Sequence, residues 1–288
     1  MAAKKDTGRI IKGKGQSDRL SAHKSLTGGP AEMFHLLARE HDSSVKKAAA
    51  NIKEILAVKH PKYEFRIRSR LYKTEINGRL NTVDNRLGVE QFINGFILPE
   101  SGLLEIKDKN DNWRLILLGE AKYQGRDFES FANGWRDESV IKQGKFTMTA
   151  GNVIERGFKN IVEVQNYMMG EMHFPYVLLA YGSNFITEEM ILDWPGDKSS
   201  KPQKVKFLPT DGSLNRIDRM TAGTYGMPIN TNHCRAIILK DGRILRPISY
   251  YAQPTKFPTE QIMKIFLDIS LTSIEVLKEN NQLLDEDE

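Results

Sequence analysis

The feature that most constrains this fold is an apolar run that ends in charge, Trp113-Arg-Leu-Ile-Leu-Leu-Gly-Glu-Ala-Lys122. A short apolar run bounded by turn residues is typical of a buried strand. Side chains two positions apart on a strand share a face, so Glu120 and Lys122 point the same way, with Ile116 and Leu118 on that face. The run therefore predicts a core strand that leaves the core where a carboxylate and an ammonium converge.

A second segment of similar character precedes this strand. We predict strands over residues 96–107 and 113–122, joined by a turn at Asp108-Lys-Asn-Asp-Asn112. In a hairpin of this length, Glu100 lies near the end that carries Glu120, so their carboxylates can meet across the pair. The sequence thus predicts two acidic groups and one lysine at one end of a hairpin.

Two neighbouring carboxylates repel each other unless a cation bridges them, and Mg²⁺ prefers hard oxygen ligands. Glu100, Glu120 and the Ala121 carbonyl are therefore candidate metal ligands. A lysine beside such a metal can orient a water and stabilise negative charge on a phosphate, which makes Lys122 a candidate catalytic residue together with both glutamates. The alternative is a surface salt bridge between Glu120 and Lys122.

The pattern of apolar and polar residues in the rest of the chain indicates an α/β fold with a mixed central sheet flanked by helices on both faces. We predict helices over residues 33–41, 45–56, 152–169 and 258–280, with Asp42-Ser-Ser44 separating the first two. A buried strand is expected at residues 175–180 and a polar loop at 198–206. The core stripe expected for the last helix is Ile262, Ile265, Phe266, Ile269 and Leu277.

Composition excludes several classes of protein. The single cysteine, Cys234, rules out a disulfide scaffold and fits a reducing, cytoplasmic location. No apolar stretch is long enough for a membrane span, and no signal peptide is expected. Residues 1–24 carry seven basic residues against two acidic ones. We therefore expect a basic arm at residues 1–28 that can bind a polyanion such as DNA, or else a solvated tail, and a single domain at 29–288 with an acidic C-terminal tail.

The segment Met148-Thr-Ala-Gly-Asn-Val-Ile-Glu-Arg156 has the residue types that read DNA. Gly151 lets the backbone approach a base edge, and Asn152 can pair with adenine N6 and N7. Glu155 can accept from exocyclic amines, and Arg156 can donate to a purine or pair with Glu155 of a second subunit. Helix capping by Asn152 and Glu155 is the structural alternative. Lys159, one turn on, suits a phosphate contact or plain solvation.

Several ordered motifs resemble the EcoRI family of type II restriction endonucleases, in the PD-(D/E)xK superfamily. They include Lys73-Thr-Glu-Ile-Asn77, Gly119-Glu-Ala-Lys-Tyr-Gln-Gly125, the segment at 148–156, Leu214-Asn-Arg-Ile-Asp-Arg219 and Tyr225-Gly-Met-Pro-Ile-Asn230. The resemblance implies that Glu120 and Lys122 hold the metal-ligand and catalytic-lysine positions. It also implies that 148–156 reads the major groove, and it adds Arg216 and Arg219 as functional arginines.

The resemblance further implies a Mg²⁺-dependent homodimer that cuts the palindrome GAATTC in double-stranded DNA, with a companion methyltransferase in the host. The resemblance is imperfect at three positions: Glu100 stands where the family has aspartate, and Thr149 and Val153 stand where a member of the family has alanine. These changes leave the exact target open. The alternatives are a DNA-binding protein whose cleavage Glu100 impairs, and a repair nuclease that reads DNA structure instead of sequence.

Overall fold

The computed structural model describes residues 31–88, 95–123, 151–182, 185, 188–194, 203–207, 229–230 and 234–284. Contacts divide the chain into two units, Met1–Glu40 and His41–Glu288. The described part of the first unit is helical from Ala31. The expected arm at residues 1–28 lies outside the described residues. No helix in the described part is long and apolar enough to cross a membrane.

The described elements are four helices and twelve strands, several of them short. The helices are α1 (Ala31–Lys59), α2 (Lys73–Val83), α3 (Gly151–Tyr167) and α4 (Thr259–Glu279). The strands are β1 (Phe65–Arg68), β2 (Leu71–Tyr72), β3 (Phe96–Ile97), β4 (Leu103–Lys107), β5 (Trp113–Tyr123), β6 (Tyr176–Tyr181), β7 (Met190–Trp194), β8 (Gln203–Phe207), β9 (Ile229–Asn230), β10 (Ile237–Ile238), β11 (Ile244–Leu245) and β12 (Ile248–Gln253).

Six strands form a mixed sheet in the order β1-β4-β5-β6-β12-β9. The β1/β4 and β4/β5 pairs are antiparallel, and the β5/β6, β6/β12 and β12/β9 pairs are parallel. A parallel neighbour requires a crossover connection, and α3 lies between β5 and β6 in the chain. Every residue of β6 is buried, as expected for a parallel strand with helices on both faces.

Two apolar cores cover the two faces of the sheet. One contains α1 residues from Val45 to Leu56 and α4 residues such as Ile262 and Phe266. The other contains Ile76 of α2 and residues of α3. The stripe expected on α4 is confirmed, because all five of its residues are buried. The prediction of a mixed sheet with helices on both faces is confirmed.

The break predicted at Asp42-Ser-Ser44 is wrong, because α1 runs unbroken from Ala31 to Lys59. His41 is buried one turn before Val45, and the buried stripe continues through Ala48, Ala49, Ile52 and Leu56. Residues three and four apart lie on one helix face, so tertiary packing continues the helix through cap-type residues. Asp42 is therefore a residue within the helix and does not cap a second one.

The predicted hairpin is only partly confirmed. The turn at 108–112 and the long strand are present, but β3 pairs with β2 in a separate two-stranded sheet. Leu104 pairs with Leu117 and Glu105 with Leu115, so Ile116 is an extra residue in a β-bulge. The bulge places Ile116 in the core with α4 and Leu118 in the other core, so the prediction that they share a face is wrong. Residues 203–207, placed largely in a loop by the sequence, form β8.

Candidate active site

The candidate site lies at the end of β5, where Glu120 and Lys122 occupy the face turned towards α3. Glu120 pairs in register with Leu178, and Lys122 with Ala180. Gly119, on the opposite face, meets the ring of Phe266 so closely that any Cβ there would clash with it. This contact brings α4 against β5 and fixes the strand just before its charged end.

Glu100 reaches the site from a turn that precedes β4. The Ser101 amide donates to the Gly119 carbonyl at 3.1 Å, and the Gly119 amide donates to Ser101 Oγ at 2.6 Å. Gly102 adopts a φ of 72°, and a side chain there would meet the Arg68 carbonyl. The turn is therefore clamped to β5 one residue before Glu120, and it presents Glu100 to the strand end.

These residues form a compact ionic cluster. Lys122 Nζ lies 2.5 Å from Glu120 Oε1 and 3.3 Å from Glu100 Oε1. The Ala121 amide donates to Glu100 Oε2 at 3.0 Å. Glu120 is 1% exposed, whereas the side chains of Glu100 and Lys122 are each about one-fifth exposed. The structure thus brings together all three residues that the sequence selected as a catalytic group.

The two carboxylate oxygens of Glu120 differ in their hydrogen bonding. Its Oε1 accepts from Lys122 and from Asn160 Nδ2, the latter at 3.0 Å. Its Oε2 is buried, and no described residue hydrogen-bonds to it. A buried polar atom without a partner costs free energy, and a cation bound to that oxygen would remove the cost.

Asp42 of α1 is a third carboxylate near the cluster, and sequence reasoning missed it. The ring of the preceding His41 packs edge-on against Tyr181 of β6, with centroids 4.5 Å apart. Burial and, to a smaller extent, the charge on Glu100 raise the pKa of Asp42 to about 6, although Lys122 opposes both. Asp42 therefore carries its charge less readily than an ordinary aspartate at this site.

The protonation states of the central pair follow from burial and charge. Burial raises the pKa of Glu120, Lys122 opposes this, and the neighbouring Glu100 adds to it. For Lys122, burial disfavours the ammonium, but Glu120 and Glu100 together outweigh that cost and raise its pKa. Lys122 is therefore a positive charge at neutral pH, suited to stabilising an anion and unsuited to accepting a proton.

The donor set fits a divalent cation of the Mg²⁺ type. Among the described residues no group of three or more His, Cys, Asp or Glu side chains is arranged to hold a metal. Mg²⁺ does not require one, because it binds through one or two carboxylates and keeps several waters or phosphate oxygens. Glu120 Oε2 is the open oxygen that such an ion needs.

A cavity of about 280 Å³ lies at the opposite end of β5 in the described part of the molecule. It is lined by Arg114, Arg79 and His173, among others. Arg114 is paired with Asp108 and Glu171, each at 2.7 Å, and Arg79 with Glu171 at 3.2 Å. The arginines that line this cavity are therefore paired with carboxylates of the protein. At the other end of β5, by contrast, Glu120 Oε2 has no partner among the described residues.

The residues expected to read DNA are only partly described. Met148, Thr149, Ala150, Arg216 and Arg219 lie outside the described residues. Gly151, Asn152, Val153, Glu155 and Arg156 fall in the first turns of α3, where the backbone alone is described. The helix begins at Gly151, one residue earlier than expected. Lys159 is 63% exposed and lies 3.7 Å from Glu163, so it is accessible to a phosphate.

The mixed sheet lies between two layers of helices, and the candidate catalytic residues lie at the end of β5. This arrangement is the PD-(D/E)xK-like restriction endonuclease fold. The sequence model of the protein family described as restriction endonuclease EcoRI matches residues 27–283 of the chain. The type II restriction enzyme RsrI of Cereibacter sphaeroides is 37% identical over 278 residues, which cover 94% of this chain and 96% of the relative. The type II restriction enzyme EcoRI of Escherichia coli is 40% identical over 271 residues, which cover 92% and 95%.

The chain therefore belongs to the EcoRI family of restriction endonucleases. The family assignment made from the sequence motifs is confirmed. Both relatives are named type II restriction enzymes, which are site-specific deoxyribonucleases. Membership implies an enzyme that binds DNA and uses a divalent metal cofactor.

Proposed function

We propose that this protein is a Mg²⁺-dependent type II restriction endonuclease that cuts a palindrome in double-stranded DNA, GAATTC or a close relative. The observation that carries the proposal is the convergence of Glu100, Glu120 and Lys122 at the end of β5, with one buried oxygen of Glu120 left open. Family membership implies a divalent metal cofactor, and two carboxylates that share one lysine carry a net negative charge that a cation can balance. The products are expected to carry 5′-phosphate and 3′-hydroxyl ends.

In this mechanism each residue has a separate task. Glu120 Oε2, a Glu100 oxygen and the Ala121 carbonyl would hold the cation. When bound, a divalent cation polarises the phosphate and lowers the pKa of an attacking water. Lys122 carries a positive charge, so it stabilises the negative charge that grows on the phosphate oxygens and orients the water. Because Lys122 is already protonated, the proton of the water leaves to a phosphate oxygen of the DNA or to bulk water. The new P–O bond forms as the P–O3′ bond breaks, and the departing 3′ oxygen takes up a proton from solvent.

Recognition is assigned to the region where α3 begins. We infer base contacts from Asn152, Glu155 and Arg156, with Gly151 allowing close approach. The other residues assigned to the DNA interface are Met148, Thr149, Ala150, Val153, Lys159, Arg216 and Arg219. The basic arm at 1–28 would wrap the duplex without reading bases. A homodimer is expected, since a palindrome cut in both strands needs one site per strand. The enzyme would act in the cytoplasm beside a protective DNA methyltransferase.

The test is digestion of plasmid DNA with Mg²⁺, followed by sequencing of the ends. Discrete fragments with one common end sequence would support the proposal and identify the target and cut position. DNA that is retarded in a gel but intact would support the second candidate below. Preferential cutting of forks or flaps would instead indicate a nuclease that reads structure, and would overturn the proposal.

The second candidate is a sequence-specific DNA-binding protein whose cleavage is impaired. It is favoured by one observation: Glu100 Oε2 already accepts the Ala121 amide at 3.0 Å. The resemblance to the family further implies that aspartate is usual at the position of Glu100. A carboxylate occupied in this way, and one methylene longer than aspartate, must reorient to bind a metal. Displacement of about 1 Å can cost two orders of magnitude in rate.

A further inference from the structure

Asn160 lies in the middle of α3 and touches the candidate metal ligand directly. Its Nδ2 donates to Glu120 Oε1 at 3.0 Å. Neither the apolar pattern of α3 nor its N-terminal motif assigns this residue a role. It is half-buried, whereas its neighbour Lys159 is exposed.

The helix holds this amide in a fixed position. Gly157, Ile161 and Val164 form a buried stripe along α3, and Met168 continues it just beyond the end of the helix, so the core sets the rotation of the helix about its axis. Glu163 of α3 pairs with Lys73 of α2 at 3.1 Å, which ties the two helices together on the same side of the sheet. The Asn160 side chain therefore approaches Glu120 from a rigid support.

The contact gives the two oxygens of Glu120 different environments. Oε1 receives both the Lys122 ammonium and the Asn160 amide, and Oε2 receives no donor from the described residues. Two donors on one oxygen fix the plane of the carboxylate, so its rotation is no longer free. The other oxygen then stays turned into the buried space, with its lone pairs unused by the described residues.

We propose that Asn160 is a positioning residue that holds Glu120 Oε1 and reserves Oε2 for the divalent cation. This inference rests on the proposed function, in which Glu120 is a metal ligand. Hydrogen-bond partners of a metal-binding carboxylate commonly contribute about 10–100-fold to metal affinity or activity. The same helix begins with the segment assigned to DNA recognition, and position 156 lies one turn before Asn160. Asn160 thereby links the orientation of the recognition helix to the metal ligand.

The test compares Asn160→Ala with Asn166→Ala. Asn166 lies six residues further along the same helix, is half-buried, and its side chain makes no hydrogen bond within the described part of the chain. Mn²⁺ is titrated into each full-length protein without DNA, and bound ion is followed by electron paramagnetic resonance. We expect Asn160→Ala to weaken Mn²⁺ binding by about 10–100-fold and Asn166→Ala to leave it unchanged.

Two further readouts separate positioning from a general structural role. Raising the Mg²⁺ concentration should restore much of the cleavage rate of Asn160→Ala, because the loss is in metal binding. DNA affinity measured without metal should stay at the wild-type level. Alanine is the better helix former, so the variant is expected to fold. Asn160→Ser, which keeps a donor on a shorter side chain, should fall between wild type and Asn160→Ala.

Unchanged Mn²⁺ affinity in both Asn160 variants would overturn the inference. Equal losses in Asn160→Ala and Asn166→Ala would also overturn it, because the effect would then belong to the helix and not to the contact. The proposed function has its own control, Glu120→Gln. If that variant binds Mn²⁺ as wild type does, Glu120 is no ligand and the proposed site fails, whatever Asn160 does.

Discussion

Glu105 and Glu120 are both buried glutamates on adjacent strands of one sheet, and their surroundings differ sharply. Glu105 Oε2 accepts from Arg66 Nε at 2.8 Å and Glu105 Oε1 from Arg68 Nε at 2.9 Å. Both of its oxygens are thus satisfied, by two cations. Glu120 shares one lysine with Glu100 and keeps one oxygen without a partner among the described residues.

The difference separates a structural charge from a functional one. A buried carboxylate matched by arginines is complete within the protein and needs nothing more. A buried carboxylate that is short of positive charge stays costly until something else supplies that charge. Among the described residues, Glu105 therefore belongs to a closed ionic site and Glu120 to an open one, and the open site faces the helix that is assigned to DNA.

The largest effect expected is on cleavage when the ammonium of Lys122 is removed from the open site. Lys122→Ala should lower kcat by on the order of 10³-fold, because the charge that stabilises the anionic phosphate is lost. DNA binding should remain near the wild-type level. Single-turnover cleavage and gel retardation measure the two quantities, with Lys53→Ala, a partly exposed lysine of α1, as the control. An equal loss of binding would show that Lys122 supports structure.

The two buried glutamates should respond oppositely to neutralisation. Glu105→Gln should destabilise the protein by about 3 kcal/mol, at the low end for breaking a buried ion pair because Arg66 is partly exposed. Glu120→Gln should leave the free energy of unfolding of the metal-free protein unchanged or higher, because it removes one of two carboxylates that share the single charge of Lys122, and Lys122 keeps Glu100 as a partner at 3.3 Å. Urea denaturation with a chelator present measures both. A comparable loss for Glu120→Gln would remove the distinction between the sites.

Shortening Glu100 tests how closely the open site is fitted. Glu100→Asp withdraws the carboxylate by one methylene from the Ala121 amide, whose hydrogen bond it accepts at 3.0 Å. We expect kcat to fall by about 10–100-fold, in line with the cost of about 1 Å of misplacement. An increase would mean that glutamate impairs this enzyme, and would favour the second candidate function.

The smallest effect concerns Asp42 and depends on pH. Its pKa is raised to about 6 from an ordinary 3.8, so the protonated form is the one that the folded state favours. The stability that protonation supplies is full below the ordinary value and is lost as the pH rises through about 6. Asp42→Asn mimics the protonated form, and should stabilise the metal-free protein by about 1–2 kcal/mol at a pH of about 7.5, allowing for solvent screening.

The same comparison at a pH of about 4.5 should show a much smaller gain, because wild-type Asp42 is then largely protonated in the folded state. Glu54→Gln, a carboxylate on the exposed face of the same helix, is the control. A stability gain of Asp42→Asn that does not vary with pH would show that the ionisation of Asp42 is not its cause.

Local patterns predicted the elements that hold the site better than they predicted its contacts. The strand over 113–122 and the helix over 258–280 followed from apolar periodicity, which reports the buried face of one element. Ile116 was placed on the wrong face, because a bulge depends on how the neighbouring strand pairs. Asp42 and Ser44 are cap-type residues, yet they lie inside a helix whose buried stripe outweighs that preference.

By itself, the sequence determined that a glutamate and a lysine leave the core together at the end of β5, and that Glu100 lies within reach. Those relations depend on alternation along one strand and on the length of one hairpin, which are local quantities. Only the tertiary structure decided that Asp42 and Asn160 join them and that one oxygen of Glu120 stays open among the described residues. These contacts join residues far apart in the chain, and the packing of α1 and α3 on the sheet sets them.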